Sequence, residues 1–102
     1  IPLMLGRPEE ADSFGQASMW GSIIPAVWSF MLAARERGLG SAWTTLHLPF
    51  EREAAQILGI DYSEWTQVGL FPVAYTMGTD FKKAPRLDTA DLVSFDTFGS
   101  HQ

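Results

Sequence analysis

Pro25-Ala26-Val27-Trp28-Ser29-Phe30-Met31-Leu32-Ala33-Ala34-Arg35-Glu36-Arg37-Gly38-Leu39-Gly40-Ser41-Ala42-Trp43-Thr44-Thr45 is the stretch whose reading decides the fold. Its first half, with Ile23 and Ile24 just before it, is apolar on nearly every face, the pattern of a helix buried all round. The helix is expected from about Ser18 to Arg37. Arg35 and Arg37 sit favourably at the negative end of the helix dipole, and Gly38 is free to take the left-handed C-cap. Pro25 allows two readings: it lies in a first turn capped by Ser22, or it kinks a helix that began near Ser18. The Trp and Thr content of Ser41 to Leu46 then favours a short strand or extended segment.

Upstream, Ile1-Pro2-Leu3-Met4-Leu5 reads as a buried strand with no turn before it, so a preceding segment is expected. Gly6 to Ser13 carries charge, Gly and Pro without a period, which predicts a solvent loop and the most mobile segment. Downstream, Pro49 precedes a second helix, Phe50 to Leu58, with Glu51 and Glu53 in its first turn and Gly59 after its last apolar residue. Gln67 to Met77 is a strand candidate, with Pro72 marking an edge, bulge or break, and Gly78-Thr79-Asp80 ends it. Near the C-terminus, Leu92-Val93-Ser94-Phe95 is short and apolar enough to add a strand. No repeat or low-complexity tract is present.

A chain of 102 residues forms one domain with a single core. A hydrophobic share of 46%, with four Trp and seven Phe, suggests surfaces that need burial against a partner. The net charge of -5 argues against nucleic acid or an anionic membrane, which require clustered cations. The absence of cysteine removes disulfides, thiolate zinc sites and cysteine nucleophiles, and fits a cytoplasmic protein. The apolar run Ile23 to Ala34 is too short to span a bilayer, and no signal peptide is visible, so no membrane partner is expected.

Hydrolytic constellations fail for want of histidines, since His101 lies at the end of the chain and His47 near a helix start reads as a surface or capping residue. The carboxylates are scattered over helix ends and loops, so no metal site is expected. Lys82, Lys83 and Arg86 form the one basic cluster, which reads either as a solvated turn or as a cradle for a single phosphate. Gly38-Leu39-Gly40 lacks dinucleotide-loop spacing. Of the four tryptophans, Trp43 is the one beside exposed-looking polar residues, where a planar ligand could stack.

The stretch from Pro25 to Thr45 resembles the long helix and following strand of nitroreductase-family flavoproteins: an apolar helix ending in two alanines, then Gly-Leu-Gly-Ser and a Trp-Thr pair. Ile1 to Leu5 looks like the family's central strand, Glu51 to Ile60 like its short helix, and Val68 to Gly78 like its next strand. The resemblance covers most of residues 1 to 98. It implies an α+β fold with an antiparallel-rich sheet flanked by helices, of which this chain is the C-terminal portion, and a homodimer with FMN at the interface.

In that family the backbone after Gly-Leu-Gly runs beside the isoalloxazine ring, and an amide there donates to the ring nitrogen that accepts hydride. The corresponding positions are Trp43, Thr44, Thr45 and Leu46. The family's basic residues after the last strand hold the FMN phosphate, which carries over to Lys83 and Arg86. No catalytic side chain is implied, because the flavin carries the chemistry. The implied activity takes hydride from NADH or NADPH and reduces a small acceptor such as a nitroaromatic or quinone. The family's N-terminal phosphate motif has no counterpart here, so a non-catalytic flavin-binding or structural fragment of the same fold is the alternative.

Overall fold

The computed structural model describes residues 1–78 and 80–101. Four three-residue strands and two α-helices follow in the order β1 (Leu3–Leu5), α1 (Ser13–Glu36), β2 (Leu39–Ser41), α2 (Glu51–Leu58), β3 (Trp65–Gln67) and β4 (Val73–Tyr75). This is an α+β architecture, with two separate two-stranded antiparallel sheets, β1 with β3 and β2 with β4.

The stretch 65–75 is the spine that joins them. Its first part lies opposite β1, with Leu3 facing Gln67 and Leu5 facing Trp65. Its second part lies opposite the chain after α1, with Ser41 facing Val73 and, in the same register, Thr44 facing Leu70. Thr44 and Leu70 exchange both backbone hydrogen bonds, at 3.0 and 2.8 Å. In an antiparallel ladder such doubly bonded pairs recur every second residue, and the next pair is Ala42 with Pro72. Pro72 has no N–H to give, so the ladder breaks there and resumes at β4. The break expected at Pro72 is therefore observed, and the strand starts two residues earlier than expected.

Helix α1 begins at Ser13, five residues before the expected start, because Asp12 caps it by accepting from the Gly15 amide at 2.8 Å. Pro25 lies inside the helix, where it withholds the hydrogen that the Gly21 carbonyl would accept. The end is as expected: Gly38 takes φ +75° and its amide reaches back to the Arg35 carbonyl at 3.0 Å. At 24 residues α1 is, by length and composition, long and apolar enough to cross a membrane, which the shorter run Ile23 to Ala34 did not suggest. Here it packs along β1 and β2 instead.

The expectation of an all-round buried helix is corrected. Only Val27 and Ala34 of α1 are buried; Trp28 is 57% exposed and Phe30 50%. Two three-residue strand pairs offer too little surface to wrap a helix about 36 Å long. The core is correspondingly small: Met4, Val27 and Val68, with Met19, Trp20, Ile23, Met31 and Phe71 against it. In β1 only Met4 is buried, while Leu5 faces outward.

Helix α2 ends on Gly59 at φ +69°, as its composition predicts. The tail departs from expectation. Residues 92–95 form no strand: Thr89–Asp91 is a 3-10 turn capped by the Asp88 carboxylate, and Asp96 turns the chain again at φ +62°. Thr79, part of the turn expected to end the strand, lies outside the described residues.

The segment expected to be a mobile solvent loop is pinned. Pro8–Glu10 forms a 3-10 turn, and Arg7 before it is only 8% exposed. Its guanidinium donates to both Glu51 carboxylate oxygens at 2.9 and 3.1 Å, to Glu9 at 2.8 Å, to the Trp65 carbonyl at 3.0 Å and to the Tyr62 hydroxyl at 3.0 Å. The Tyr62 ring also lies 3.9 Å from the guanidinium. Hydrogen bonding to Glu51 holds Arg7 protonated even more firmly than usual, against the opposing cost of burial. Removing one member of such a pair strands the other charge. Arg7→Ala is expected to cost about 3 kcal/mol in urea unfolding, and Arg7→Met with Glu51→Leu to recover much of that loss; a loss below about 1 kcal/mol would place the pair among weak surface bridges.

Candidate functional site

The six expected site residues fall into two groups. Trp43, Thr44, Thr45 and Leu46 leave the broken ladder and lead into the 3-10 turn Leu48–Phe50 that starts α2. Trp43 lies opposite Phe71, their ring centroids 5.2 Å apart, and its indole Nε1 donates to the Val68 carbonyl at 3.2 Å. The Thr44 hydroxyl donates to the Leu70 carbonyl at 2.6 Å. The backbone is thus held at 43 and 44 and turns immediately afterwards, the Leu48 N–H donating to the Thr45 carbonyl at 3.0 Å.

Thr45 and Leu46 are exposed, Leu46 at 90%. Among the described residues no acceptor takes the amide hydrogen of either. A rigid strand end followed by two open donors is an arrangement that suits an electron-rich heteroatom of a planar ligand. The ring side of the expected flavin site therefore fits the residues present.

Gly69 makes this geometry possible. A Cβ there would lie 2.6 Å from the Trp43 Nε1 and 2.9 Å from the Thr44 carbonyl oxygen. The indole rests on the bare glycine backbone.

His47 is neither a free surface residue nor a side-chain cap. It is half-buried, and its Nε2 meets the Gln67 Oε1 at 2.8 Å. Gln67, 1% exposed, also donates its amide nitrogen to the Glu51 carbonyl at 3.0 Å, and its backbone N–H to the Glu51 carboxylate at 2.8 Å. An unbroken polar chain thus runs from Arg7 through Glu51 and Gln67 to His47. Sequence reasoning missed Arg7 and Gln67; the one signal for Gln67 is a long polar residue set beside Val68 in an otherwise apolar strand.

Lys83 and Arg86 are not brought to this segment. Both are exposed on the tail, and Arg86 donates to the adjacent Pro85 carbonyl at 3.1 Å. Among the described residues no hydrogen bond or ion pair joins either to residues 43–47. The tail is moored nearby by Phe81, whose ring lies 4.4 Å from the Arg35 guanidinium on α1. The phosphate side of the expected site is thus carried on a separate segment, the exposed tail.

Because something must shift to admit a Cβ at residue 69, Gly69→Ala is expected to destabilise the fold by about 2 kcal/mol and to alter Trp43 emission. Unchanged emission and stability would show that the indole does not depend on that contact.

Compared with known proteins, residues 7–75 match the nitroreductase family. No curated protein and no solved structure matches the chain. The matched span includes Arg7, all of α1, the 43–47 segment, Glu51, Gln67 and Gly69, and stops short of Lys83 and Arg86. It covers more than half of the chain, which belongs to the nitroreductase family, a family of flavin-type oxidoreductases.

Proposed function

We propose that the protein works as an FMN-dependent oxidoreductase that takes hydride from NADH or NADPH and passes it to a small acceptor such as a nitroaromatic or quinone. The observation that carries this reading is the pair of open amides at Thr45 and Leu46, directly after a backbone locked by Trp43 and Thr44. FMN, when bound, supplies the hydride chemistry; the chain supplies position and electrostatics. The Thr45 or Leu46 amide donates to the ring nitrogen that accepts hydride, and its fixed direction costs no reorganisation at the moment of transfer. Lys83 and Arg86 hold the phosphate, where fixed cations meet a dianion.

The assembly that fits is a homodimer with FMN at the interface, in the cytoplasm. The described surface of 8060 Å² compares with roughly 5,700 Å² for a compact monomer of this mass. The radius of gyration, 17.8 Å, compares with about 13 Å for a compact chain of this length. The exposed apolar face of α1, with Ile24, Trp28 and Leu32, is the surface that a second copy would cover.

The test is titration of the chain with FMN and with riboflavin, followed by turnover with reduced nicotinamide. FMN is expected to bind and to be reduced. Lys83→Ala with Arg86→Ala should weaken FMN about tenfold while leaving riboflavin unchanged. Equal losses for both flavins would remove these residues from the phosphate role, and absence of flavin binding would favour a structural member of the fold.

A further inference from the structure

Gln67 is buried, and each polar group of its side chain has a single partner of fixed type. The Glu51 backbone carbonyl, 3.0 Å from the Gln67 amide nitrogen, can only accept. That contact sets the amide's orientation, so Oε1 must face His47, and Oε1 can only accept. His47 Nε2 must therefore carry a hydrogen. In the neutral ring this leaves Nδ1 as a bare acceptor, and Nδ1 is buried with no partner among the described residues. The imidazole thus has one allowed tautomer, dictated from outside the segment it belongs to.

The anchor behind Gln67 is stiff. Glu51 takes the Gln67 backbone N–H at 2.8 Å and is itself held by the Arg7 guanidinium. The next residue, Val68, offers the carbonyl that receives the Trp43 indole. Gln67 and Val68 together grip both ends of the segment 43–47, Val68 through Trp43 and Gln67 through His47. Between those grips the Thr45 N–H shares its peptide plane with the Thr44 carbonyl, which takes the Leu70 N–H at 2.8 Å, and the Leu46 N–H shares its plane with the Thr45 carbonyl, which takes the Leu48 N–H at 3.0 Å, so the two amides move with the turn as a unit.

We infer that Gln67 is a positioning residue of this site: it locks His47 in the Nε2–H form and thereby fixes where the turn that carries the Thr45 and Leu46 amides sits. The consequence for hydride transfer rests on the flavin reading above, because those amides are the proposed donors to the ring. Misplacement of a reacting group by about 1 Å costs on the order of a hundredfold in rate, so a modest slackening of the segment is expected to cost tenfold. Arg7 and Glu51 act one step further back, as the charges that keep Gln67 still.

Two measurements decide it. In the flavin-free, 15N-labelled full chain, the His47 ring is expected to show the Nε2–H tautomer, and Gln67→Met to mix the tautomers and shift the Thr45, Leu46 and Trp43 indole resonances while those of Ser13 and Ala34 stay in place. An Nδ1–H tautomer in the unsubstituted protein overturns the inference, and needs no variant to fold. Unmoved Thr45 and Leu46 resonances in folded Gln67→Met overturn it as well. With FMN bound, Gln67→Met should slow flavin reduction about tenfold with the nicotinamide KM little changed, and His47→Gln, which keeps a donor towards Gln67, should restore more of the rate than His47→Phe. An undiminished rate in Gln67→Met overturns the inference. Failure of the unsubstituted chain to bind FMN refutes only the flavin reading; the tautomer and the amide shifts still decide the role of Gln67.

Discussion

The Glu51 carboxylate is the point on which the rest of the structure hangs. One oxygen receives the Arg7 guanidinium and the Gln67 backbone amide, and the other receives Arg7 again. Two segments remote in the chain, the turn after β1 and the end of β3, are thereby fixed to the start of α2, and through Gln67 so is the 43–47 segment that leads into it. Burial of such charges is costly unless every lone pair finds a donor, and here the donors come from different elements. The pair therefore specifies an arrangement as much as it adds stability. With an apolar core built on the cluster Met4, Val27 and Val68 and its neighbours, specification by polar contacts carries more weight than it would in a larger domain.

The spine 65–75 turns that anchor into a site. Its first part is satisfied by β1 and its second by the chain after α1, and Pro72 interrupts the second ladder where a donor is needed. Between these two pairings lie Val68, whose N–H still donates to the Pro2 carbonyl at 3.0 Å, and Gly69. Trp43 packs there, its ring admitted by the missing side chain of Gly69 and its N–H taken by the Val68 carbonyl.

Features governed by local chemistry were legible in the sequence. Gly38 and Gly59 end their helices in the left-handed region because no neighbour has to agree, and Pro72 breaks a ladder whatever lies opposite. The α+β character was legible from the resemblance. Arg7 and Gln67 were not, because their partners lie 44 and 20 residues away in the chain and no period connects them. The tail misled for the opposite reason: Leu92, Val93 and Phe95 look like a strand, but Asp88 and Asp96 supply capping and turn chemistry that acts first. Helix α1 read as buried because composition reports what a surface requires, not whether the same chain provides the cover.

That distinction bears on how the two halves of the proposed flavin site relate. The ring side is built from backbone held by short, directional contacts within one chain, and is formed before any ligand arrives. The phosphate side consists of Lys83 and Arg86 on an exposed tail, upstream of which Phe81 is seated against Arg35. Cations on long side chains lose conformational freedom when they close on a phosphate, whereas the fixed amides of Thr45 and Leu46 lose almost none. Preorganisation therefore favours chemistry at the ring, while affinity depends on what orders the tail. A second copy covering the apolar face of α1, beside which Phe81 is seated, would provide that order, so flavin affinity and assembly are expected to rise together even though the hydride-accepting end of the site is set within a single chain.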